Sequence, residues 1–132
     1  MNTNISYKDG VVISNMMAAL KKEDKSVRLK ITEVIKQLTD EWPEPPEDTK
    51  KEVLFEFDND HRLSVYRAVM SIINQKEFDQ IYITWGRDIC KLFKCEKQFL
   101  KSCDTDIARP KGFKLDEEFE ITEDEEGVKD ES

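Results

Sequence analysis

The chain has 132 residues, 38% apolar and 38% charged, with a formal net charge of −8. That length fits one domain, and so high a charged share implies that part of the chain is not core. No apolar run approaches the roughly 18 residues that span a membrane, and Met1-Asn2-Thr3-Asn4 lacks the basic start of a secretory signal, so a cytoplasmic protein without a membrane partner is expected.

In chain order, Asp9 to Lys22 reads as a short helix capped by Asp9, with Val12, Met16, Ala19 and Leu20 at helical spacing. A competing reading pairs Ile5–Tyr7 with Val11–Ile13 as a hairpin. After the polar stretch 21–25, Ser26 caps a second helix to Trp42, with Val27, Ile31, Val34, Ile35, Leu38 and Trp42 on one face. Pro43, Pro45 and Pro46 end it, since proline cannot continue a helix. Val53, Phe55 and Phe57 alternate as in a strand, although Pro46, Glu47 and Asp48 also resemble a helix start. Asp58-Asn59-Asp60 caps a third helix, His61 to Gln75, whose apolar face leaves only a narrow polar strip at Ser64, Arg67 and Ser71 and so belongs at the centre of a core. Residues 80–85 read as a short strand (Ile81, Ile83 and Trp85 alternate) or as the first half of a helix interrupted at Gly86.

From Arg87 to Cys103 one continuous amphipathic helix is expected. Arg87, Lys91, Lys94, Gln98 and Lys101 fall in one stripe at spacings of 4, 3, 4 and 3, with Lys97 beside it. Ile89, Leu92, Phe93, Phe99, Leu100 and Cys103 lie opposite. Cations at that pitch, continued by Arg109, Lys111 and Lys114, suit contact with backbone phosphates, but a solvated helix face gives the same pattern, and lysines alone read few bases. Glu96, on the apolar side, calls for a basic partner from another element.

Charge is segregated along the chain. From Asp116 to Ser132 there are ten acids and one base (Lys129), whereas the remainder holds 19 acids and 20 bases. Two units follow: a globular domain over 1–115, and an acidic tail over 116–132 whose composition predicts disorder in the isolated protein. Phe113, Leu115, Phe119 and Ile121 alternate with Asp116, Glu117, Glu118 and Glu120, as in a segment that docks on a partner with a basic rim, or in a terminal strand of the domain itself. Tethered after the basic helix, the tail could also compete with phosphate for it.

Catalytic chemistry finds little support. Glu56, Asp58, Asp60 and His61 form an acidic group of the kind a metal-dependent nuclease uses, but Asp58 and Asp60 are also what a helix N-terminus favours, and the calcium-loop glycine is missing. Cys90, Cys95 and Cys103 match no zinc module, point in different directions on the expected helix, and as an odd set read as reduced thiols. Four scattered glycines form no phosphate-cradling loop, and the single histidine leaves a nucleophile without an activating base. No catalytic residue, metal, cofactor or small-molecule substrate is therefore expected. The bias toward Lys, Glu, Asp and Ile is shared with small proteins of AT-rich genomes, phages and mobile elements among them.

The resulting expectation is a mainly α domain of four or five helices, with a minor sheet drawn from residues 53–57, 80–85 and 113–121, followed by the tail. Its expected role is non-catalytic: a regulatory protein that binds a protein partner through Phe113, Leu115, Glu117, Glu118, Phe119, Glu120 and Ile121. The alternative is nucleic-acid binding through Arg87, Lys91, Lys94, Lys97, Lys101, Arg109 and Lys111, restrained by the tail.

Overall fold

Asn2–Ser6 is strand β1, although its residues are mostly polar, because it pairs antiparallel with strand β2, Glu52–Glu56. The register sets Ile5 opposite Val53 and Thr3 opposite Phe55 on the inner face, leaving Asn2, Asn4, Leu54 and Glu56 on the outer one. The N-terminal ammonium donates to the Phe57 carbonyl at 2.6 Å and Phe57 N–H donates back to Met1 O at 2.9 Å, which closes the sheet end. The structure, a computed structural model, describes residues 1–21 and 25–106, the last three in backbone alone.

Five helices complete the fold: α1 Tyr7–Met17, α2 Lys25–Glu41, α3 Asn59–Gln75, α4 Gln80–Leu92 and α5 Glu96–Asp106. The domain is mainly α with a minor sheet, as expected. The hairpin reading of residues 5–13 fails, since Ile5 pairs with Val53 and α1 begins at Tyr7. Ser6 caps α1 by accepting the Asp9 N–H at 3.1 Å, so Asp9 contributes its charge to the first turn and is not the cap. Ser26 lies inside α2 and does not cap it. Asp58 caps α3 as expected, accepting from His61 N–H at 2.9 Å.

Helix α3 is the central element and packs against α1, α2 and α4. Ser64 and Ser71 of its polar strip are buried too, so the strip is covered and does not face water. A file of aromatic rings ties the sheet to both ends of the bundle, running from Tyr7 through Trp42, Phe55 and Phe57 to Phe93, with centroid separations of 5.1 to 6.1 Å.

Residues 80–85 are helical, contrary to the strand reading, and Gly86 does not interrupt α4. Its role is close approach. A Cβ there would lie 2.7 Å from Val69 Cγ1, 2.9 Å from Ile73 Cδ1 and 3.3 Å from Phe99 Cε1, so the missing side chain lets α4 settle onto α3 and α5. Among the described residues no helix is long and apolar enough to cross a membrane. Gly86→Ala should destabilise the fold by about 1–3 kcal/mol through overpacking, against the slight gain alanine gives in an open helix; urea unfolding of the two proteins measures the difference.

Candidate functional site

The basic stripe does not lie on one helix. Helix α4 ends at Leu92, Phe93 is its C-cap, Lys94 takes a left-handed conformation with φ 58°, and α5 begins at Glu96. Two backbone bonds close the turn, Lys94 N–H to Lys91 O at 3.2 Å and Cys95 N–H to Cys90 O at 2.8 Å. This is the Schellman arrangement, with lysine where glycine is usual. The same device ends α3, where Glu77 N–H donates to Asn74 O and Phe78 N–H to Ile73 O, with φ of 55° and 60° at Glu77 and Phe78.

What fixes the corner is a buried arginine. Arg62 is 1% exposed; its Nε donates to Phe93 O at 3.0 Å, Nη2 to Lys94 O at 2.7 Å and Nη1 to Asn59 Oδ1 at 2.9 Å. Thr3 Oγ1 donates to the preceding carbonyl, Leu92 O, at 2.6 Å. Three successive carbonyls at the end of α4 are thus satisfied by groups from α3 and β1, and the guanidinium sits at the negative end of the helix dipole. Sequence reasoning passed over Arg62, yet it shares the face of Tyr66, Val69 and Ile73 at helical spacing, which was the available signal.

The cations therefore fan around a bend. Arg87 and Lys91 stand exposed on α4, Lys94 is half-buried at the corner, and Lys97 and Lys101 stand exposed on α5. Arg87 Nε donates to Glu96 Oε2 at 2.9 Å across the corner, which supplies the basic partner Glu96 called for. Arg109, Lys111 and Lys114, like the whole segment Phe113, Leu115, Glu117, Glu118, Phe119, Glu120 and Ile121, lie outside the described residues. The apolar side of the stripe is placed as expected, with Ile89, Phe93, Phe99 and Cys103 buried. Cys90, Cys95 and Cys103 do not diverge as they would on one straight helix; all three are buried in the interior. Tyr66 is hydrogen-bonded to Ser102 on α5, and burial pushes its phenol up to about 12.

The acidic group around His61 is bound up with the fold. Its Nδ1 lies 2.6 Å from Asp58 Oδ1 and its Nε2 lies 2.7 Å from Glu33 Oε1 on α2, so the imidazole bridges α2 to the start of α3. The His61 backbone N–H holds the Asp58 carboxyl below its ordinary value, aided by the imidazole and Lys30 and opposed by burial. Among the described residues no group of three or more His, Cys, Asp and Glu is placed to hold a metal ion.

A concave feature, not anticipated from the sequence, runs between α1 and α2. One lobe of about 610 Å³ is lined by Met17, Ala18, Ile31 and Ile35 with Lys36 and Asp40 at its edge. A smaller lobe of about 190 Å³, lined by Val11, Leu38 and Trp42, continues it, and Ser14 and Thr39 border both. Lys25, Arg28 and the 58% exposed Leu29 form a shallow depression farther along α2, toward its N-terminus.

Two substitutions test the corner. Arg62→Met should cost roughly 3 kcal/mol or more, because it strands buried carbonyls, and Arg62→Lys should not restore it, lacking the fork that reaches Phe93 O, Lys94 O and Asn59 together; chemical denaturation reads both. Lys94→Gly should raise stability by about 0.5–1 kcal/mol, since glycine enters the left-handed region without the penalty lysine bears, and a thermal melt shows the sign.

Compared with known proteins, the chain matches no family model, no curated protein and no solved structure.

Proposed function

We propose that the chain is a non-catalytic, regulatory interaction protein that captures a protein partner through the acidic and apolar segment 113–121, with the cationic corner of α4 and α5 as a second contact surface. The observation that carries this reading is the bend at Phe93–Cys95. A DNA-reading helix lies as a straight rod in a groove with its contact residues on one side. Here Lys91, Lys97 and Lys101 stand on two helices parted by the turn at Lys94 and do not form one straight row, which favours a complementary acidic face of a protein.

In this reading Phe119 and Ile121 are the anchors, because a few large side chains dominate interface energies, and the surrounding acids steer the encounter. The cations at the corner complement acidic groups on the same partner.

The full chain, immobilised and exposed to a nuclease-treated extract, should retain a specific protein, and Phe119→Ala with Ile121→Ala should lose it by roughly ten-fold or more at unchanged fold. Retention that nuclease abolishes, and that falls steeply with salt, would replace this reading with nucleic-acid binding through the cations.

A further inference from the structure

We infer that the trench between α1 and α2 is an intramolecular docking site for residues 117–121 of the chain's own C-terminal segment, which holds the protein closed when no partner is bound. The trench has an apolar floor and a basic flank. Met17, Ile31 and Leu38 form its buried base, Ala18, Ile35, Val11 and Trp42 open its walls, and Lys36, Arg28 and Lys25 follow one another along exposed α2. From Ile31 to Trp42 the helix advances by about 16 Å, the length of five extended residues. Glu117-Glu118-Phe119-Glu120-Ile121 supplies five residues whose odd and even members face opposite ways. Phe119 and Ile121 then enter the wider lobe while Glu118 and Glu120 turn toward the α2 cations. Lys36 already donates to a carboxylate, Asp40 Oδ2 at 2.9 Å, in an exposed pair that a glutamate can exchange at little cost.

Two other surfaces suit this segment less well. The free side of β2 is bordered by Glu41 and Glu56 as well as Asp40, with no base in its lining, whereas the trench sets Lys36 beside Asp40. The corner of α4 and α5 offers cations, but the large apolar side chains beneath them, Ile89, Phe93 and Phe99, are buried. Reach is no obstacle. Phe119 is 13 residues beyond Asp106, a contour of over 40 Å, against a radius of gyration of about 13 Å for a domain of this size.

The inference builds on the reading of 113–121 as a docking element, but its test involves no partner, so the two fail separately. Treating the full chain with a water-soluble carbodiimide joins carboxylates to neighbouring lysines as amides, and digestion followed by mass spectrometry locates them. Links from Lys25 or Lys36 to Glu118 or Glu120 are expected in the monomer fraction, at a yield independent of protein concentration. In Phe119→Ser with Ile121→Ser, with the circular dichroism unchanged, the yield should fall by roughly ten-fold or more. The inference is overturned if the links run instead to Lys91, Lys94, Lys97 or Lys101, if they occur only in a dimer fraction, if α2 gives none, or if the double variant keeps them.

Discussion

A guanidinium removed from water costs several kcal/mol unless its donors are met, and Arg62 is 1% exposed. Its donors are met by Phe93 O and Lys94 O, carbonyls that have no partner inside α4, and by Asn59 Oδ1 one turn away in α3. Each side removes the other's penalty: the helix end satisfies the arginine, and the arginine satisfies the helix end. This exchange decides where α4 stops. Without it the chain from Arg87 to Cys103 has the apolar period of one helix, and nothing in its local composition would turn it.

The corner then sets what lies on either side. Because α5 folds back at Cys95, Phe99 comes within reach of Gly86 and Ser102 meets Tyr66, so both helices close over α3. Thr3 draws β1 to the same point through Leu92 O, and Phe93 packs its ring, tilted, against Phe57 at 5.1 Å. Sheet, central helix and C-terminal helices thus converge on three consecutive carbonyls. The left-handed backbone at Lys94 is the strain this convergence tolerates.

Elements governed by local signals were legible in the sequence. Helices α2 and α3 follow from the spacing of Val27, Ile31, Val34 and Leu38 and from the Asp58 cap, whereas β2 was one of two open readings, the alternation of Val53, Phe55 and Phe57 competing with a helix start at Pro46, Glu47 and Asp48. Elements decided by distant partners were not. Asn-Thr-Asn-Ile-Ser holds one large apolar residue and becomes a strand because Glu52–Glu56 pairs with it from 50 residues away in register. The break at Phe93–Cys95 contains neither glycine nor proline, and its causes, Arg62 and Thr3, lie elsewhere in the chain. Gly86 signals close packing and a helix break alike, and only the third dimension separates the two. At the candidate site the cations and their exposure were legible, whereas the bend that parts them and the trench between α1 and α2 were not.

The balance of forces on the acidic segment follows from magnitudes. Exposed charge pairs contribute about 0–1 kcal/mol each and weaken with salt, whereas burying a Phe or Ile contributes about 1.5–3 kcal/mol. In the proposed docking, the cations of the corner and of α2 would therefore govern how quickly the segment is drawn in, and a cavity able to take Phe119 and Ile121 would govern where it stays. A tether keeps the segment at millimolar effective concentration, which an affinity of about 4 kcal/mol just matches. Two anchors supply about that much, before the cost of ordering the segment is subtracted. The docked form proposed above would accordingly sit near balance, so that a partner offering a third anchor, or a better fit for the same two, would take the segment over without unfolding any part of the domain.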